Sequence, residues 1–275
     1  MTICYDLAVF INACLKNMKL IQLNRYPVKS MGANALSESK LSVKGLQHDR
    51  EWLIASPQGN MITARKFPHM LLWRVEAAHD SITLTAPDGS SFTVRTAEMT
   101  EQADATVWRD SFRAYCGNTA ADGWLSEKLG MEARIYWLGA ESNRVLAHTQ
   151  TPLSFADGAP FLLTNTASLR SLNADLETPV EMERFRANFV VDGLEAYEEE
   201  GWQRIRIGEV EFEHLKPCVR CVMITVDLQT GRKDPFQEPL STLAVGRKAI
   251  FGVNLIALNE GTLRVGDEVE VLSWL

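Results

Sequence analysis

The sequence of 275 residues has few cysteines, no surplus of positive charge and no long apolar run. The apolar stretch near the start, Leu7 to Leu15, falls short of the roughly 20 residues a membrane-spanning helix needs, so no membrane span is expected. The same N-terminus carries Asp6 and lacks both a basic leading segment and a small-residue cleavage site, so it does not read as a signal peptide. With 28 basic against 35 acidic residues the net charge is -7, which excludes a general grip on nucleic acid or an anionic membrane surface. The five cysteines (Cys4, Cys14, Cys116, Cys218 and Cys221) are odd in number and sparse, unlike the even, dense sets of small secreted folds. They predict free thiols and a reducing, cytoplasmic setting. No glycine-rich phosphate loop is present, so neither a nucleoside triphosphate nor a dinucleotide on a Rossmann turn is indicated. Internal repeats and low-complexity segments are also absent.

What the chain does have is enough apolar residues, 46%, for a sizeable core. Met18 begins a strand-like segment, so residues 1–17 read as an extension from an upstream start, with a short docking helix or interfacial anchor as the rival reading. From Lys19 to about Arg113 short apolar runs are broken by turn residues. "SPQGN" and "APDGS" mark hairpins, because Gly, Asn and Asp tolerate the positive φ such turns need. Helical spacing appears over Ala120 to Leu129, which places a domain boundary near residue 117 and gives domains of 18–117 and 118–275. In the second half, "TNTASLRSLNADL" puts a capping Thr or Asn ahead of Leu169, Leu172 and Leu176, the stripe of an amphipathic helix. Strand patterns surround it. The expected class is mainly β with some α.

The stretch "KPCVRCVMITVDLQTG" carries Cys218 and Cys221. Pro217 puts Cys218 in the approach to a strand and Cys221 at its first position. A dithiol-exchange pair instead heads a helix, so the strand formers after Cys221 count against that role. His214 with the two cysteines would give zinc three ligands, with no further pair to complete a closed site. A three-ligand catalytic zinc, one ligand for another metal and two ordinary core thiols remain. Basic residues recur at strand starts and loops beside apolar neighbours: Lys29, Arg50, Arg184, Arg186 and Arg220. Singly each reads as a solvated charge or an ion pair. Together they predict an anion held between the two halves, with Lys as point charge and Arg as fork.

Eight separated stretches, in order, resemble the MOSC family, the group named for the C-terminal domain of molybdenum-cofactor sulfurase, and within it the amidoxime-reducing components and YcbX-type proteins. They are "YPVKS", "GLQHDREWLI", "GNMITARKFP", "FADGAPFLLTNTASLRSLN", "RFRANFVVDG", "RCVMITVDLQTG", "EPLSTL" and "FGVNLIALNEGTLRVGD". The resemblance implies an N-terminal β-barrel-like MOSC domain followed by a MOSC β-barrel domain with flanking helices, and a molybdenum cofactor (Mo-molybdopterin) between them. It makes Cys221 the molybdenum ligand and leaves Cys218 without a role. It places Lys29, Ser30, Arg50, Arg186 and Asn188 on the cofactor, with Asn165 and Ser168 of a loop that departs from the family's usual Ser-Glu-Ala-Ser. A thiolate beside the two dithiolene sulfurs makes a soft ligand set suited to such a metal.

The activity the resemblance implies is two-electron reduction of small N-hydroxylated compounds, with Asp49, His48 or a water on the metal supplying protons. No cysteine follows Cys221, so no iron–sulfur domain is expected and electrons come from a separate ferredoxin-, flavodoxin- or cytochrome b5-like donor. No pyridoxal-phosphate-binding sulfurase domain precedes the match, which argues against cofactor sulfuration. A cofactor or sulfur carrier without reductase activity is the alternative.

Overall fold

The computed structural model describes residues 18–146, 149–193 and 195–275; the proposed extension, residues 1–17, lies outside them. The first half is built from short strands: β1 (Met18–Arg25), β2 (Asn34–Leu36), β3 (Glu38–Ser42), β4 (Gly45–Leu46), β5 (Trp52–Ala55), β6 (Arg74–Ala77), β7 (Ser81–Thr85), β8 (Ser91–Arg95), β9 (Glu101–Val107) and β10 (Asp110–Cys116). Helix α1 (Thr119–Leu129) and β11 (Arg134–Trp137) follow. The second half runs β12 (Phe161–Asn165), α2 (Thr166–Ala174), β13 (Phe189–Val191), β14 (Trp202–Ile207), β15 (Val210–Val219), α3 (Leu240–Arg247), β16 (Ile250–Ala257), β17 (Gly261–Arg264) and β18 (Glu268–Trp274).

Local chemistry accounts for most of these elements. Ile82, Leu84 and Val94 alternate with polar residues on β7 and β8 and are buried, and Gly89 (φ 86) takes the turn at "APDGS". "SPQGN" also turns, with Ser56 N donating to Asn60 O at 2.8 Å, but the return is a single bridge from Ala55 to Met61 rather than a ladder. Helix α1 begins where Asn118 Oδ1 accepts from Ala121 N at 2.9 Å and ends at Gly130 in the left-handed region (φ 67). Asn165 caps α2 by accepting from Ala167 N at 2.8 Å; Leu169 and Leu172 lie on that helix and Leu176 just beyond it.

The large sheet closes on itself in the order β13, β12, β16, β15, β14, β18, β1 and back to β13, a seven-strand barrel with β2 appended to β1. Its interior is aromatic: Phe161, Phe189 and Phe212 lie with ring centroids 5.2–5.4 Å apart. β1 contributes both Leu20 and Leu23 to this core, three positions apart on a strand. A register shift between Leu20 and Gln22 against β13 makes that fit, since a bulge turns the later residue back inward. A second sheet, β5-β11-β10-β9, shares one core with a third, β6-β7-β8, through Trp52, Ile54 and Ile135, and buries a separate core on its other face around Leu53, Phe112 and Tyr136. Two connections bring distant parts of the chain together: β1 is a stave of a barrel otherwise made from the second half, and β11 pairs with β5.

One sequence expectation is corrected here. Cys221 does not open a strand. β15 carries Cys218 near its end and stops at Val219 before Cys221, and residues Val222–Thr225 form a 3-10 turn. β15 loses its partner at that point: Val219 pairs with Ile250, Arg220 N reaches Ala249 O at 2.7 Å, and the chain before Ile250 is already α3. The strand formers Ile224 and Thr225 are buried in the turn instead, and the Thr225 hydroxyl donates to Val222 O at 2.8 Å.

Candidate active site

Between the barrel and the sheets of the first half lies a cavity of about 400 Å³, a volume suited to a small organic ligand. Its lining includes Lys29, Ser30, Arg50, Arg186, Asn188 and Cys221, so most of the residues anticipated on the cofactor meet in one place. Arg65, Arg184, Lys216 and Arg220 also line it, and Asp157 stands at its lip as the one lining carboxylate. In a protein of net charge -7 this is a local concentration of cations.

The floor explains how so much positive charge is held together. Tyr26 is 2% exposed and lies between two guanidinium groups, Arg50 at 4.5 Å and Arg186 at 4.3 Å from its ring centre. Its hydroxyl donates to Ala187 O at 3.2 Å, and burial pushes its pKa up to about 12 even though both arginines oppose the rise. Asp49 is buried beneath Arg50, pairs with it, accepts from Tyr26 N at 2.7 Å and takes Asn188 Nδ2 at 3.2 Å. Asn188 Oδ1 in turn accepts from Arg50 Nη1 at 3.0 Å and from Leu162 N at 3.2 Å. Burial works against the Arg50 charge, yet Asp49, together with Tyr26 and Asp157, more than offsets it and the Arg50 pKa is raised. Arg186 has no such carboxylate. Burial lowers it to about 10, and Arg50 adds to the effect.

Three of the lining residues have left-handed backbones without being glycine: Ser30 (φ 69), Arg50 (φ 51) and Arg186 (φ 54). Each costs about 1 kcal/mol, and such strain gathers where side chains must be aimed at a ligand. Lys29 Nζ donates to Phe155 O at 2.8 Å and pairs with Asp157. Burial lowers the Lys29 pKa against the pull of Asp157. Asp157 itself stays well below the usual carboxylate range, because Lys29 and Arg65 outweigh the burial that would raise it.

At the sulfur end, Cys221 Sγ accepts from Arg65 Nε at 3.3 Å, and Cys218 Sγ from Arg220 Nη1 at 2.9 Å. Arg220 also donates to Phe185 O, and its Nε finds no hydrogen-bond partner. His214 Nδ1 is directed to Trp202 O at 3.0 Å, and among the described residues no three His, Cys, Asp or Glu side chains gather to hold a metal ion. His214, Cys218 and Cys221 therefore do not form a three-ligand set.

The remaining anticipated residues lie elsewhere. His48 is absent from the cavity lining and is engaged with Glu51 at 3.1 Å. Asp49 lies under Arg50 and contributes through it. Asn165 and Ser168 hold the segment 195–201: Asn165 Nδ2 donates to Glu195 O at 3.0 Å, and the Ser168 hydroxyl accepts from Tyr197 N at 2.8 Å and donates to Glu199 at 2.8 Å. Glu199 is fully buried there, and burial pushes its pKa up to about 7. Sequence reasoning missed Tyr26, Arg65 and Asp157 as site residues. Each stands inside a stretch that carried the resemblance, but only spatial neighbours reveal their contacts.

The residues fit a phosphate-bearing pterin with a sulfur-ligated metal: guanidinium and ammonium groups for the phosphate, amide and hydroxyl groups for a polar ring edge, and the thiols of Cys218 and Cys221 within the same cavity. Residues 17–132 match the family model described as MOSC N-terminal beta barrel domain, and residues 150–270 the one described as MOSC domain. The chain is 32% identical over 280 residues to mitochondrial amidoxime-reducing component 1 of Mus musculus, across 91% of this chain and 81% of that protein. For the Homo sapiens protein of the same name the identity is 30% over 277 residues, across 91% and 82%. It is also 34% identical over 270 residues to the molybdenum cofactor sulfurase of Drosophila grimshawi, across 92% of this chain but 34% of that protein. These relatives point to molybdenum-cofactor involvement. No helix among the described residues is long and apolar enough to cross a membrane.

Proposed function

Since the chain belongs to the MOSC family and matches both its N-terminal barrel domain and its MOSC domain, we propose that it is a molybdenum-cofactor-dependent reductase of small N-hydroxylated compounds, such as hydroxylamines, amidoximes and N-hydroxylated bases. The observation that carries this reading is the convergence of Cys221 with Lys29, Arg50 and Arg186 on one cavity. A bound cofactor would supply the two-electron exchange that reduction of an N–O bond requires.

The chain's own residues then have distinct tasks. Arg50 and Arg186, spaced by the Tyr26 ring, hold the phosphate together with Lys29, and Asp49 keeps Arg50 charged and aimed. Ser30 meets the pterin edge, Asn188 ties Arg50 to Asp49 and so positions the guanidinium, and Cys221 is the protein's ligand to molybdenum. His48 is turned toward Glu51 and Asp49 is covered by Arg50, so the protons that balance the reduction come from solvent entering past Asp157. Electrons arrive from a separate donor protein of ferredoxin, flavodoxin or cytochrome b5 type.

A second reading, a cofactor or sulfur carrier, is favoured by one observation: Cys218 lines the same cavity as Cys221. The test is molybdenum content and turnover of an N-hydroxylated substrate in wild type, Cys221→Ser and Cys218→Ser after expression in a cofactor-competent host. Cys221→Ser is expected to lose at least 100-fold of its turnover, while Cys218→Ser keeps metal and activity. A Cys221→Ser protein that retains both overturns the ligand assignment. Metal bound without turnover in wild type favours the carrier.

A further inference from the structure

We infer that Arg65 is a positioning residue for Cys221 that sets how strongly its sulfur donates to the metal. The inference rests on the assignment of Cys221 as molybdenum ligand. Arg65 Nε has one hydrogen and directs it at Cys221 Sγ from 3.3 Å. A cationic N–H on a metal thiolate withdraws electron density from the sulfur, weakens its donation and favours the more reduced metal.

The side chain is clamped from several directions. Its Nη2 donates to Asp157 Oδ2 at 3.3 Å, its guanidinium lies 3.9 Å from the centre of the Trp108 ring, and its backbone carbonyl accepts from Lys233 Nζ at 2.7 Å. Trp108 is placed for this contact at some backbone cost. It occupies the turn between β9 and β10 with φ 58, where Gly or Asn is usual, and it remains 43% exposed. Its indole N–H donates to Asp157 Oδ1 at 3.1 Å, so plate, carboxylate and guanidinium form one unit. Asp157 also pairs with Lys29, so one carboxylate serves two cations. A lysine at position 65 would keep the charge but lose the planar group that stacks and aims.

The test uses the cofactor-loaded full chain. Midpoint potential and the thiolate-to-metal charge-transfer band are read in wild type, Arg65→Gln and Trp108→Leu, with molybdenum content and thermal unfolding confirming loading and folding. Arg65→Gln is expected to lower the potential and move the band to lower energy. Trp108→Leu, which frees Arg65 without removing its charge, shifts both the same way by less. If Arg65→Gln fails to load, Trp108→Leu decides alone. Unchanged potential and band, whatever happens to turnover, overturn the inference. A wild-type protein without molybdenum, or a band that survives Cys221→Ser, overturns the ligand assignment instead, so the two failures are separable.

Discussion

Replacing Asp49 with Asn tests the floor of the cavity. In wild type the Asp49 carboxylate accepts from Tyr26 N, Arg50 Nη1 and Asn188 Nδ2, and its side chain is 1% exposed against 14% for Arg50. The substituted amide could still accept from Tyr26, but its N–H groups would face the donors of Arg50 and Asn188. Breaking one partner of a buried ion pair costs about 3–5 kcal/mol, because the surviving charge has no nearby counterion. Arg186 is beside the same Tyr26 ring and adds repulsion rather than relief. We therefore expect cofactor-free Asp49→Asn to lose about 3 kcal/mol in urea unfolding, or roughly 6–12 °C in Tm for a chain of this size. A bound phosphate would supply a counterion for Arg50, so cofactor loading should restore part of the loss. Equal destabilisation with and without cofactor would refute the placement of the phosphate at Arg50. A cofactor-free variant within about 0.5 kcal/mol of wild type would refute the pairing itself.

Glu199 gives a pH-dependent stability. Burial raises its pKa from 4.5 to about 7, so its neutral form suits the fold below pH 4.5, and stability is lost as pH rises from there through about 7. The shift amounts to about 3 kcal/mol, and Glu199→Gln, compared with wild type in urea at pH 5 and pH 8, should show a relative gain confined to the higher pH. A gain of equal size at both would place its origin in packing. Gly252 has φ 77 on β16, and a Cβ there would lie 2.5 Å from Leu163 O of β12. Gly252→Ala is expected to cost about 2–3 kcal/mol in the same assay, and a loss below about 0.5 kcal/mol would mean that the two barrel strands approach less closely than described.

The sequence was informative wherever a short stretch carries its own physical signal. Asn118 and Gly130 bound α1, Asn165 caps α2, and "APDGS" makes a hairpin, because caps and turns depend on a few neighbouring atoms. The run after Cys221 misled for the opposite reason. Val222 to Val226 are strand formers, but a strand needs a partner edge, and the partner of β15 ends at Ile250. Local propensity cannot report that. Asn165 and Ser168 show the same limit: their polar groups are spent on segment 195–201, and nothing in "TNTAS" says so.

By itself the sequence determined the mainly β class, the two barrel-type parts and the residue types a cofactor would need, since these follow from periodicity, turn chemistry and matched motifs. The tertiary structure decided which of those residues meet. Lys29, Arg50, Arg186 and Cys221 are separated by up to 192 positions and share one cavity because β1 closes a barrel built from the other half of the chain. It also recruited Tyr26 as the spacer between two arginines and Arg65 as the donor to Cys221. Such contacts depend on distances of a few ångströms between groups far apart in sequence, and only the closed fold determines those.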